Sequence, residues 1–231
     1  MTQHVVITGA NRGLGLEFVR YYLAKGATVY ACARSESDAL LQLASPQLHV
    51  ISLDVANDAS VEKAFEEIAK LTSSLDIVIN NAAARFPETV NSLEDVDFDV
   101  VQKAYNINSI GPLRVAKASV PLLEKGNTKV LTNISSEAGS IGTSGRGTEF
   151  DYCMSKAALN MQSVLLQNAV RGQGIRVLAI DPGWMHTDMG GAKAPKSPVD
   201  TAEKIGQIIE QRKGTTDEPL FVNTSGEQYP Y

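Results

Sequence analysis

Short runs of aliphatic and β-branched residues recur along the chain, and between them apolar residues return every three or four positions. The runs fall at 5–8, 27–33, 50–53, 76–79, 129–134, 175–180 and 220–222. Apolar side chains at successive positions suit strands buried on both faces of a parallel sheet. The intervening stretches carry helical spacing. Leu14, Phe18, Tyr21 and Tyr22 precede Gly26, and Val61, Phe65, Ile68 and Leu71 form a second set. A short helix is expected at 40–43, closed by Pro46. Longer ones are expected at about 97–120, interrupted by Gly111-Pro112, at 152–170 and at 202–211. Residues 184–198 carry no period and read as a loop or short lid.

Strand and helix alternate from end to end, which demands a parallel sheet with helices on both faces. The expectation is an α/β, Rossmann-type doubly wound sheet of about seven strands. No repeat, low-complexity tract or linker divides the 231 residues, so 1–231 reads as a single domain with the 184–198 lid. A hydrophobic content of 43% supplies a sizeable core. A net charge of −5 argues against nucleic acid or an anionic membrane surface as partner. No apolar run reaches membrane-spanning length, and the N-terminal residues enter a strand without a signal-peptide pattern. Cys32 and Cys153 sit in no metal-type spacing, so no metal is expected and a reducing cytoplasm is the simplest location.

Two segments carry candidate chemistry. Gly9, Gly13 and Gly15 lie between the first strand and the first helix, where backbone can approach a pyrophosphate and helix N–H groups face the anion. Tyr152 and Lys156 stand four residues apart, one helical turn on the same face. An ammonium beside a phenol favours the phenolate and is expected to lower its pKa. Asn108 is marked by its neighbour: Pro112 has no N–H to give the carbonyl four residues back, so that carbonyl loses its donor and a kink is expected.

Thr8-Gly-Ala-Asn-Arg-Gly-Leu-Gly15, Asn80-Asn-Ala82, Asn108, Ser136, Tyr152-x-x-x-Lys156 and Pro182-Gly183 occur in this order. Together they resemble the short-chain dehydrogenase/reductase family over almost the whole chain. Within it, Gly183-Trp-Met-His-Thr-Asp-Met-Gly-Gly191 and Phe221-Val-Asn-Thr-Ser-Gly226 are most similar to the C-factor and sniffer-type carbonyl reductases. The resemblance implies Asn108, Ser136, Tyr152 and Lys156 as the catalytic set. Ser136 is preferred to Ser135 because Ser136-Glu-Ala-Gly139 fits the family's Ser-x-x-Gly. It further implies that Gly9, Asn11, Arg12, Gly13, Leu14, Gly15, Asp54, Val55, Asn81, Ala82, Tyr152, Lys156, Pro182, Gly183 and Thr187 line the cofactor. One departure is Ala83, which stands where the family usually has glycine.

The second strand ends at Arg34 rather than at the carboxylate that would accept from a ribose 2′-hydroxyl. With Arg12 it forms a pair of guanidiniums suited to a 2′-phosphate, so NADP(H) is expected over NAD(H). The expected function is NADPH-dependent reduction of an aldehyde or ketone, with Tyr152 as general acid/base. The alternatives are an NADP-binding sensor with dispensable catalysis and an NAD-linked alcohol or sugar dehydrogenase. The family's habit of pairing two long helices implies a homodimer.

Overall fold

The computed structural model describes residues 2–86, 93–215, 217–218 and 220–231. Seven strands form one sheet: β1 (His4–Thr8), β2 (Thr28–Ala33), β3 (Leu48–Ser52), β4 (Ile77–Asn80), β5 (Val130–Ile134), β6 (Arg176–Ile180) and β7 (Phe221–Val222). Their order is β3-β2-β1-β4-β5-β6-β7, and every neighbouring pair is parallel. Seven helices connect or follow them: α1 (Gly13–Ala24), α2 (Asp38–Leu41), α3 (Asp58–Leu71), α4 (Phe98–Tyr105), α5 (Gly111–Leu123), α6 (Phe150–Val170) and α7 (Pro198–Arg212).

The continuous apolar runs follow from two cores, one on each face of the sheet. Val5, Ile7, Ile77, Ile79, Leu178 and Ile180 face α1 and α7. Val6, Val78, Leu131 and Val177, one position out of step, join α3 and α5 on the other face. Strand residues in the middle of the sheet are thus buried whichever way they point, while β3 at the edge is only partly covered.

Asparagine, serine and aspartate set most helix starts. The side chains of Ser37, Asn57, Asp97 and Ser197 cap α2, α3, α4 and α7 by accepting from first-turn N–H groups. The start of α1 differs. Arg12 makes no side-chain cap there, and no acidic residue occupies the first turn.

Several boundaries depart from the periodicity. The last long helix starts at Pro198, four residues before its apolar pattern, because Ser197 caps it and proline suits the first turn. The loop at 184–197 is closed at its base by a Met185–Lys196 bridge. The expected kink at Pro112 takes a specific form: α4 and α5 are joined by a π-helical turn, Asn106–Ile110, in which the Gly111 N–H donates to the Asn106 carbonyl five residues back. A side chain at Gly111 would press on Val55, its Cβ lying 3.0 Å from the valine Cβ.

Candidate active site

All seven parallel strands end on one edge of the sheet, and their order reverses between β1 and β4, the place outside the carboxyl ends where open parallel sheets hold their ligands. The first wall of this region is the turn after β1. Gly9 and Gly13 have positive φ of 65° and 54°. A Cβ on Gly15 would lie 2.1 Å from the Gly9 carbonyl oxygen, so only glycine lets α1 begin against this turn. Asn81 fastens the end of β4 to it, its Nδ2 donating to the Thr8 and Gly9 carbonyls at 2.9 and 3.2 Å. The Thr8 hydroxyl accepts from the N–H groups of Asn81 and Ala82, both at 3.0 Å. Asn11 takes a hydrogen bond on its carbonyl from Ser37, and Leu14 is buried in the core beneath.

Further along the rim, Asp54 follows β3 and its Oδ1 accepts from the Ala56 N–H at 3.0 Å. Val55 is buried against Gly111. Arg34 is exposed at the end of β2 and, among the described residues, pairs with neither Glu36 nor Asp38. Arg12 is exposed too, but its guanidinium pairs with Asp188 at 2.8 Å. The 184–197 loop therefore meets the glycine turn. Thr187 lies there as well, its methyl 3.5 Å from where a Cβ on Gly13 would stand.

On the other side, α6 begins at Phe150, two residues before Tyr152. Ser136, just past β5, lies close enough to the Tyr152 phenol to lower its pKa, and its hydroxyl accepts from the Ala138 N–H at 3.2 Å. Ser135 takes no part: it is buried, and its hydroxyl donates to Asn160 Oδ1 at 2.5 Å. Lys156 is buried with its Nζ 5.7 Å from the centre of the Tyr152 ring, donating to the Ile134 carbonyl at 2.8 Å. Gly139 permits this packing, since a Cβ there would fall 2.6 Å from the Lys156 carbonyl carbon.

Asn108 is fully buried on the π turn. Its side chain behaves like a strand neighbour for Ala84, accepting from the Ala84 N–H and donating to its carbonyl, both at 2.8 Å. Its Nδ2 also reaches the Ser155 hydroxyl at 3.0 Å, which donates to the Tyr152 carbonyl at 2.8 Å. The π turn is thereby tied to the first turn of α6. Pro112 leaves the Asn108 carbonyl without the N–H of an ordinary helix.

The electrostatics correct one expectation. The Tyr152 phenol is pushed up to about 12, mainly by burial; Ser136 and then Arg85 pull it down, while Asp181 and Glu149 raise it. Lys156, expected to lower the phenol, is itself lowered to about 8 by burial, with Asp181 opposing. Desolvation is the largest influence on both groups, Lys156 being buried and Tyr152 half-buried.

The sequence pattern did not single out a cluster beside this pair. Glu149, the residue before α6, is buried in a left-handed conformation (φ 60°). Arg85 Nε donates to its carboxylate at 2.6 Å and Arg146 does so at 2.5 Å; Arg146 also bridges to Glu137. These residues come from three separate segments with no shared motif. Only a non-glycine residue at a strained start of the helix marks the place.

A doubly wound parallel sheet with a glycine turn after β1 and a Tyr–Lys pair on α6 defines a dinucleotide-fold oxidoreductase of a particular kind. Residues 3–198 match the family model for short chain dehydrogenases, and the chain belongs to that family. It is 34% identical over 139 residues to the C-signal of Myxococcus xanthus, covering 60% of this chain and 82% of that protein. Among solved structures it resembles the carbonyl reductase Sniffer of D. melanogaster, with a TM-score of 0.90, 28% identity and full coverage of both chains. It also resembles an NADPH-bound carbonyl reductase from chicken fatty liver, with a TM-score of 0.87, 30% identity, and 100% and 99% coverage.

Proposed function

We infer that this oxidoreductase reduces aldehydes or ketones with NADPH, and the observation that carries the inference is the Tyr152–Lys156 pair, the Nζ 5.7 Å from the centre of the phenol ring, with Ser136 beside it past the end of β5. The residues present fit a dinucleotide phosphate. The first turn of α1 is left uncapped while four other helices carry side-chain caps, and the turn before it packs so closely that a Cβ on Gly9 or Gly15 would strike the backbone of Ala82 or Gly9, so bare backbone borders the helix start. Gly9, Asn11, Arg12, Gly13, Leu14 and Gly15 would hold the pyrophosphate side, and Asp54, Val55, Asn81 and Ala82 the adenosine. Pro182, Gly183 and Thr187 would hold the nicotinamide side. Arg34, unpaired by Glu36 or Asp38, is the guanidinium available to a 2′-phosphate; Arg12 must leave Asp188 or share with it.

When bound, NADPH supplies the hydride. The chain supplies everything else. Ser136 holds the substrate's carbonyl oxygen by donating a hydrogen bond. Tyr152, neutral at physiological pH, gives its proton to that oxygen as negative charge develops there. Lys156, close to its own titration point, supplies positive charge that stabilises the phenolate left behind. Asn108 fixes the approach of the π turn to α6 and offers its carbonyl to a water on the route by which the proton is replaced.

The carbonyl reductase relatives support this chemistry, and the NADPH in the chicken enzyme supports the cofactor. The whole chain is read as one catalytic domain working as a homodimer through α4–α5 and α6, and as cytoplasmic. Following NADPH oxidation across a panel of aldehydes, ketones and quinones tests the inference. Oxidation with at least one class supports it; tight NADPH binding with no oxidation by any of them refutes it.

A further inference from the structure

Asp181 follows β6 and stands where the catalytic turn, the lid and α6 meet. Its N–H donates to the Val222 carbonyl at 2.9 Å, so its backbone is anchored to β7. Its side chain is buried, and Oδ1 accepts from the Glu137 N–H at 3.2 Å and the Gly183 N–H at 3.0 Å. One carboxylate oxygen thus joins the turn that carries Ser136 to the loop that Gly183 opens.

The charged and titratable groups that face this carboxylate come from every surrounding element. They are Glu137 in the turn after β5, Tyr152 and Lys156 on α6, Lys196 before α7, and Tyr229 after β7. Burial raises the carboxyl's own pKa, and the two N–H donors and Lys196 oppose that rise. Its negative charge acts in the same direction on both members of the pair, raising Lys156 against the burial that lowers it and raising Tyr152 further. A buried charge in this position has a desolvation cost, which a serine or asparagine hydrogen-bonding the same two N–H groups would avoid.

We propose that Asp181 is a positioning residue of the Tyr152–Lys156 pair: its buried carboxylate registers the Ser136 turn against the Gly183 loop and sets a fixed negative charge at that junction. This rests on the reductase function inferred above, because a neutral phenol is the form that donates a proton to a carbonyl. It makes Asp181 a device for reduction rather than for alcohol oxidation, which needs the tyrosine as a base.

The test is Asp181→Asn, which keeps an oxygen acceptor for both N–H groups and removes the charge, compared with Asp181→Ala, which removes both. Lys156 is titrated directly by NMR of protein labelled with 13C at the lysine ε-carbon, its resonance identified by its loss in Lys156→Arg. The expected midpoint is about 8 in the wild type and about one pH unit lower in Asp181→Asn. The alkaline limb of kcat for NADPH-dependent carbonyl reduction is expected to move down by a similar amount, because removal of the negative charge lowers both pKa values. A role confined to holding the two loops would leave Asp181→Asn with the wild-type midpoint and limb and impair only Asp181→Ala, and that result overturns the proposal. A moved midpoint with an unmoved limb overturns it for turnover. A moved midpoint in a protein that reduces no carbonyl supports the coupling and refutes the reductase function instead.

Discussion

Replacing Lys156 by methionine should make the cofactor-free protein more stable at neutral pH while abolishing turnover. Burial lowers the lysine from 10.5 to about 8. Each unit corresponds to about 1.4 kcal/mol, so holding the ammonium in this site costs the fold about 3 kcal/mol. Methionine fills similar space without charge, but it leaves the Ile134 carbonyl without its 2.8 Å donor, which costs about 1 kcal/mol. The net gain is about 2 kcal/mol, or roughly 4–8 °C in Tm for a chain of this size. The pH dependence identifies the cause. The folded protein releases the lysine proton near pH 8 and the unfolded chain near 10.5, so unfolding takes up a proton between those values. The wild type therefore gains stability as pH rises through that window, and the advantage of Lys156→Met should be full below about pH 8 and gone above about 10.5. Urea unfolding of both proteins across this range measures it. A variant less stable than wild type at neutral pH, or a difference that does not change with pH, would refute the reasoning.

Two further outcomes follow from the rim of the site and from the surface. Arg34→Ala should raise KM for NADPH about tenfold or more while changing KM for NADH less than about twofold, since only the 2′-phosphate distinguishes the two; equal losses for both cofactors would reassign Arg34 to a general role. Met161 and Leu165, one turn apart on α6, are 60% and 61% exposed, an apolar pair that a second copy would cover. Sedimentation should show a dimer that Met161→Glu with Leu165→Glu converts to monomer, and a monomeric wild type would end the homodimer proposal.

The fold was legible because its signals are local. Uninterrupted apolar runs such as 5–8 and 175–180 belong to strands covered on both faces, and the glycines at 9, 13 and 15 each answer a backbone need at one turn. The Tyr152–Lys156 spacing is helical arithmetic, and the Ser-x-x-Gly pattern points to Ser136, which acts on the pKa of the phenol. The illegible features depend on distance in space. Periodicity registered the break at Gly111-Pro112 but could not distinguish a kink from the π turn that forms, with Gly111 packed closely on Val55. The ion-pair cluster of Arg85, Glu149 and Arg146 joins residues up to 64 positions apart. The raised pKa of the phenol is illegible in the sequence for the same reason. The pair's spacing is written in the chain, whereas the desolvation of the phenol and the Ser136, Arg85 and Asp181 groups that act on it come from segments far apart in sequence.

The central claim is that Tyr152 donates the proton in an NADPH-dependent carbonyl reduction. It is tested most directly by comparing wild type and Tyr152→Phe in NADPH oxidation with the best carbonyl substrate, alongside NADPH binding by fluorescence. The phenyl ring keeps the packing and removes only the hydroxyl, so kcat should fall by about a hundredfold to ten-thousandfold while the Kd for NADPH stays within about twofold. A Tyr152→Phe protein that turns over at the wild-type rate would contradict the claim.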